Sequence, residues 1–263
     1  MKTAYLRTHI KEDRDHWWFR GRLAIVLAVL RRVLPPRRLR LLELGCGTGN
    51  VLSALAEFGE AVGMEAHPDL LAAARHRGVD VRAGTLPTEL GVEPGWADVV
   101  LLLDVLEHLD DDLATLRSAR GALGHDGVLV VTVPAFPWLW TAHDVALGHR
   151  RRYTAAGLRG VVERAGFTVR RVTYFNTLLF PIVALVRVCH RIRGHAEHDL
   201  RRPLAPVNRL LASLFALERF LAPRVRLPFG SSLLLVARCG SASRGAGMAV
   251  RGEAVRRPSR AVK

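Results

Sequence analysis

A chain of 263 residues, 49% of them apolar, is long enough to bury the core of one large α/β domain. Its three cysteines, Cys46, Cys189 and Cys239, lie far apart and form no CxxC pair, which argues against both a disulfide framework and a zinc site and fits a reducing cytosol. The net charge of +15 rests on 39 basic residues, only three of them lysine, and bears on surface partners or composition bias rather than on fold.

The first residues, "MKTAYLRTHIKEDRDHWWFRGR", are charged and lack the apolar stretch of a secretory signal. The following "LAIVLAVL" is closed by Arg31 and Arg32, well short of the about 20 apolar residues that span a bilayer. A cytosolic chain is expected, with a membrane-peripheral position as the alternative. One helix is predicted over 13–33, stopped by Pro35-Pro36, so that residues 1–37 form a helical lid. Strand and helix patterns then alternate. "LRLLELG", "EAVGMEA", "VDVRAG", the apolar part of "ADVVLLLDVLEH" and "GVLVVTVP" read as strands, with helices at "NVLSALAEFG", "HPDLLAAARHRG" and "LATLRSARGAL". Alternation with short connections means parallel strands covered by helices on both faces, a doubly wound sheet. A further helix, "TAAGLRGVVERAG", and strand, "FTVRRVTYF", complete a core over 38–175. Two apolar helical stretches fill an insertion over 176–230, "SSLLLVARC" supplies a last strand within 231–240, and 241–263 reads as a disordered basic tail.

"LLELGCGTGN" places three glycines directly behind the first strand. Such a loop turns tightly, lets a ligand approach the backbone, and presents free amides at a helix start. The spacing is GxGxG, not GxGxxG, and no Lys-Ser/Thr pair follows, so neither a dinucleotide nor a phosphate loop is matched. Glu43 lies inside the strand, where it can meet a cationic group. Glu65 ends the next strand twenty residues after Gly45, where such folds hold ribose hydroxyls. An acid for an amino group, a close-approach loop and an acid for a ribose describe S-adenosylmethionine.

Together "ELGCGTGN", "GMEAH" and "LLLDVLEHLDDD" resemble the class I S-adenosylmethionine-dependent methyltransferases over roughly residues 38–175 plus the last strand. The resemblance implies a Rossmann-like, seven-stranded sheet in the order 3-2-1-4-5-7-6 with strand 7 antiparallel. It also implies S-adenosyl-L-methionine as cofactor, lying over strands 1, 2 and 4. By position, Glu43, Gly45, Cys46, Gly47, Gly49 and Asn50 would contact the methionine end and ribose, and Glu65 with Ala66 the ribose hydroxyls. Asp104, Val105 and Leu106 would lie near the methionine portion. Gly84-Thr85 stands where many relatives carry an adenine-binding aspartate, and Thr85 offers one hydrogen bond there. Asp104 reads alternatively as the cap of a helix beginning near Glu107. The aspartates at 110–112 read as a helix start favoured by the macrodipole, and no metal is expected.

Methyl transfer needs alignment of the acceptor, and a base only where a proton must leave. "PAFPWLWTAHDVALGHRRRYT" follows the fifth strand and offers Trp138 and Trp140 as walls, His143 and then His149 as bases, and Arg150, Arg151 and Arg152 with Tyr153 around an anionic group. "HWWFRGR" offers Trp17 and Trp18 as a lid, and His108 a further pocket wall. The insertion would cap the acceptor pocket, pair with another subunit, lie in a membrane interface, or pack on the core. The resulting expectation is methyl transfer to a small-molecule or lipid-linked acceptor, O-methylation favoured and no nucleic acid partner expected. The alternatives are an RNA-binding or RNA-modifying protein and a non-catalytic scaffold.

Overall fold

The computed structural model describes residues 3–193 and 202–240. Its lid is two helices, α1 (Thr3–Glu12) and α2 (Trp17–Val33), where the sequence pattern predicts one over 13–33. The break has a local cause. His16 caps α2 by accepting the Trp18 amide, and Asp13 turns inward to Thr48 and Arg77 instead of continuing a helical face.

Strands and helices then follow as β1 (Leu39–Leu44), α3 (Asn50–Leu55), β2 (Gly59–Glu65), α4 (Pro68–His76), β3 (Val81–Ala83) and β4 (Ala97–Leu103). Next come α5 (Asp112–Ala122), β5 (Leu123–Pro134), α6 (Ala142–Leu147), α7 (Ala155–Arg164) and β6 (Phe167–Phe175). The insertion supplies α8 (Phe180–Arg193), α9 (Ala205–Ala216) and α10 (Glu218–Leu221), and β7 (Ser232–Cys239) closes the series. The sheet runs β3-β2-β1-β4-β5-β7-β6, with β7 antiparallel to both neighbours. β1 and β4 carry near-continuous apolar runs because helices cover both faces; Leu41, Leu42, Leu44, Val100 and Leu101 are fully buried. Strand order reverses between these two, so their carboxyl ends open the crevice in which doubly wound sheets bind ligands.

The insertion is anchored on the lid and on the core. Phe215 of α9 is fully buried, stacks on Phe175 at 6.1 Å and meets Trp17 edge-on at 5.8 Å. Asn208 accepts the Trp17 amide at 2.9 Å and donates to the Asp15 carbonyl at 2.7 Å. Gly21 of α2 faces Phe215 so closely that a Cβ there would overlap the ring. Gly21→Ala is therefore expected to cost about 1–3 kcal/mol of overpacking, lowering Tm by roughly 5 °C in a thermal melt; an unchanged melt would contradict this packing.

The outward faces of α8 and α9 stay apolar, with Ile182, Leu185, Val188 and Leu210 exposed. Among the described residues no helix is long and apolar enough to cross a membrane. The predicted tail at 241–263 lies outside the described residues, as do residues 194–201 of the insertion.

Candidate active site

A cavity of about 1000 Å³ opens over the carboxyl ends of β1, β2 and β4, walled by the lid on one side and by α8 on another. That volume is at the upper end for a small-molecule site, enough for a nucleoside and a second ligand.

The glycine loop forms its floor. Gly45, Gly47 and Gly49 all have positive φ, at 71°, 59° and 76°. A Cβ on Gly45 would come within 2.7 Å of Val105, and one on Gly49 within 2.8 Å of Val79, so these two glycines let the loop pack. Gly47 is different. Its Cβ position meets only His9 at 3.8 Å, which leaves the bend open to the cavity.

Glu65 is buried, and its two oxygens accept the amides of Gly47 and His67, each at 2.8 Å. A carboxylate has further lone pairs, so each oxygen can still accept a hydroxyl. Glu43 is also buried, with one oxygen accepting the Leu52 amide of α3 and Oε2 lacking a hydrogen-bond partner. Burial pushes its pKa up to about 8, against the pull of the nearby Arg22. Asp104 directly follows β4 with a left-handed backbone, φ 59°, and pairs with Arg22 rather than capping a helix. Asn50, Cys46, Ala66, Thr85 and Val105 line the same cavity. Gly49, Gly84 and Leu106 do not; all three are buried behind its wall, Gly84 against Met64 and the Glu89 carbonyl.

The lid brings residues that the sequence pattern does not mark. Arg22 reaches from α2 to Asp104, with its guanidinium 4.9 Å above the Trp18 ring. Asp13 ties the lid to the loop by accepting from Thr48 and Arg77, while its carbonyl accepts from Asn50 at 2.9 Å. Trp17 and Trp18 line the cavity as expected of a lid, and His9 joins them.

At the far end the cavity meets the segment after β5, where several expectations are corrected. Trp138 lies half exposed outside the cavity, against Phe136 at 5.8 Å and Phe180, and Trp140 does not line it either. Arg150 and Arg151 turn away from the cavity, because main-chain carbonyls and aspartates of the turn after β4 lie within closer reach. Arg150 holds the His108 carbonyl and Asp110, and Arg151 the carbonyls of Leu109 and Asp110 together with Asp112. Tyr153 is buried with its hydroxyl donating to Asp112 at 2.8 Å. The run at 110–112 is thus engaged by arginines and by α5, whose first turn Asp111 caps.

Only Arg152 of the three arginines points inward. It and Arg187 of α8 converge on Asp144, at 2.8 and 3.3 Å. Asp144 is fully buried, and its Oδ1 also holds His149 Nδ1 at 2.9 Å. Burial alone would raise its pKa, but the bonds from His149 and Arg152 outweigh that and hold it well below the usual carboxylate range. His149 is thereby fixed in orientation, beside His108 with ring centres 4.8 Å apart. Burial, reinforced by Arg187, drives the His143 pKa down to about 3; burial takes His108 to about 4. Leu179, together with Ile182, Val183 and Val186 of α8, forms an apolar roof over this end.

The fold and this crevice are those of a nucleoside-binding, doubly wound domain, and comparison with known proteins is more specific. A family model described as a methyltransferase domain matches residues 15–172, more than half of the chain. The chain belongs to the class I S-adenosylmethionine-dependent methyltransferases, whose members use S-adenosylmethionine as methyl donor. It is 33% identical over 160 residues to a ubiquinone biosynthesis O-methyltransferase of Methylobacterium nodulans, a match covering 53% of this chain and 64% of that one. It is 35% identical over 160 residues to the dTDP-3-amino-3,6-dideoxy-alpha-D-glucopyranose N,N-dimethyltransferase of Streptomyces fradiae, covering 58% of this chain and 57% of that one. Both matches span less than two thirds of the relative's own length. Among solved structures, an S-adenosylmethionine-dependent methyltransferase of Thermotoga maritima superposes with a TM-score of 0.58 at 19% identity, over 91% of this chain and all of that one. That likeness concerns the fold alone.

Proposed function

We propose that this chain transfers the methyl group of S-adenosylmethionine to an oxygen of a small apolar or lipid-linked acceptor. The observation that carries this reading is that two buried carboxylates, Glu43 and Glu65, face one cavity across the open bend at Gly47. Glu43, with an unpaired buried oxygen, suits the ammonium of the methionine portion, and Arg22 beside it suits the carboxylate. Glu65 takes the ribose hydroxyls. The sulfonium then points toward the roof of α8, whose apolar side chains exclude water and favour an apolar acceptor. Ile182 and Val186 are both cavity-lining and exposed, so the mouth itself is apolar and a lipid surface could deliver the acceptor there. The names of the two relatives, one an O-methyltransferase and one acting on a sugar nucleotide, support a small-molecule acceptor.

His149, aligned by Asp144, is the side chain that activates the acceptor in this reading. His143 is too weak a base, since burial keeps its pKa near 3. His149→Ala is expected to slow turnover about a hundredfold or more with cofactor affinity unchanged, and His143→Ala to do much less. The reverse order in steady-state kinetics would return the role to His143.

The Glu43 carboxyl also predicts a pH dependence. With a pKa near 8 it is largely protonated at pH 6, and binding an ammonium requires that proton to leave. Affinity should therefore rise about tenfold per pH unit below 8, then fall as the ligand's own α-amino group, of pKa about 7.7–8.0, loses its charge. Calorimetry on Glu43→Gln should show the rising limb gone; a limb that persists would remove Glu43 from the ammonium site.

The acceptor class is tested by incubating the enzyme with methyl-labelled S-adenosylmethionine and fractionated cell extract. Label in the lipid or small-molecule pool supports the reading, and label confined to RNA overturns it.

A further inference from the structure

We propose that Glu107, His108 and His149 form a site for a first-row divalent metal ion at the acceptor end of the cavity. One ligand atom from each of the three lies within 4.8 Å of the other two, so a closure of about 1 Å brings them to the roughly 3.5 Å separations that ligands of a tetrahedral ion keep when each is about 2.0–2.2 Å from it. All three line the cavity.

The side chains are held as ligands would be. Glu107 is 1% exposed and its Oε2 has no hydrogen-bond partner, an arrangement costly for a carboxylate unless a cation meets it. His149 is fixed through Nδ1 by Asp144 at 2.9 Å, and the backbone of Gly148 lies beside the His108 ring. That leaves Nε2 of His149 for an ion, and metal-binding histidines are oriented by such outer bonds. The backbone is equally constrained. Glu107 and His108 sit on the single helical turn that follows β4, and the Arg150 amide, next to His149, donates to the Glu107 carbonyl at 2.7 Å. That bond pins the two ligand-bearing segments together.

Two imidazoles and one carboxylate suit zinc, iron or manganese better than magnesium or calcium, and leave at least one coordination position toward the cavity. An acceptor hydroxyl in that position would have its pKa lowered and release its proton to solvent. Its oxygen would then bond the sulfonium methyl as the C–S electron pair returns to sulfur. This use of the ion rests on the methyl-transfer reading above, whereas the site itself does not; His149 then activates the acceptor as a ligand.

The test is metal binding in the absence of both cofactor and acceptor. Chelator-treated, tag-free full-length protein is titrated calorimetrically with Zn²⁺ and, separately, Mn²⁺. One equivalent should bind at least one of them, and Glu107→Gln or His149→Ala should each weaken binding at least about tenfold. Asp110→Asn, outside the cavity, should leave it unchanged. S-adenosylmethionine affinity measured on the same variants shows that each is folded. Absence of stoichiometric binding to both ions, or equal affinity in folded Glu107→Gln and His149→Ala, would overturn the metal site while leaving the methyl-transfer reading standing.

Discussion

Glu65→Ala will raise the dissociation constant for S-adenosylmethionine by about a hundredfold or more, measured by calorimetry at fixed pH. Two effects combine. Hydrogen bonds to an ionised carboxylate contribute about 1.5–3 kcal/mol each, and the ribose offers two hydroxyls. The same carboxylate also holds the Gly47 and His67 amides at 2.8 Å, so its loss loosens the bend that the ligand approaches. Glu65→Gln separates the two, because an amide side chain keeps one acceptor oxygen but turns a donor toward a backbone amide or a hydroxyl. It should fall between wild type and Glu65→Ala. Wild-type affinity in the alanine variant would remove Glu65 from the ribose.

The second large effect concerns stability. Asp144→Ala will cost about 3–5 kcal/mol, the typical penalty for leaving buried charges without their partner, and lower Tm by roughly 10 °C. The mechanism is explicit in the geometry: Arg152 and Arg187 lose their shared counter-charge, and the Thr141 amide loses an acceptor at 2.9 Å. Since Arg187 comes from α8, the roof of the acceptor pocket should loosen with it. The pH dependence has a definite sign. Asp144 has a depressed pKa in the folded state, so its stabilisation is complete above the ordinary value of 3.8 and is lost as pH falls below it. Wild type and variant should therefore converge in acid and diverge toward neutral pH. Equal melting temperatures at pH 7 would show the cluster to be energetically idle.

The cofactor half of the site is legible in the sequence because it is local. Glu43 to Asn50 form one strand, loop and helix start, and the stretch carries its own geometric signature in three glycines. Glu65 ends and Asp104 directly follows a neighbouring strand, so the regular alternation of the fold locates them, and the sheet order follows from the same resemblance. The acceptor half is built from long-range contacts that no short pattern encodes. Arg150, Arg151 and Arg152 are indistinguishable as letters; the Ala135–Tyr153 bridge and the turn after β4 decide that two of them bind carbonyls and only the third turns inward. Asp144 looks like an ordinary residue of a short helix until α8 folds over it. The three proposed metal ligands escape a spacing search for the same reason, since His149 is brought to the adjacent pair by the path of the chain. Trp138 and Trp140 mislead because aromatic content alone does not say which side of a loop a ring faces. The lid break at 13–16 is hidden too: Asp13 belongs to the glycine loop as much as to its own helix.

Arg22 is the clearest miss on the cofactor side. It stands within "HWWFRGR", where the tryptophans draw notice, yet it pairs with Asp104 and lies near Glu43, which makes it the cation at the cofactor end of the crevice. A signal was present in the form of an arginine one helical turn from Trp18 on a helix predicted to cover the site, but only the folded lid gives it a partner.

A crystal structure with S-adenosylhomocysteine, the product of methyl transfer, tests the central claim most directly. The ligand should lie over Gly47 with its amino nitrogen at Glu43 and both ribose hydroxyls within hydrogen-bond distance of Glu65. A ligand seated elsewhere in the cavity, or a ribose that faces away from Glu65, would contradict the account.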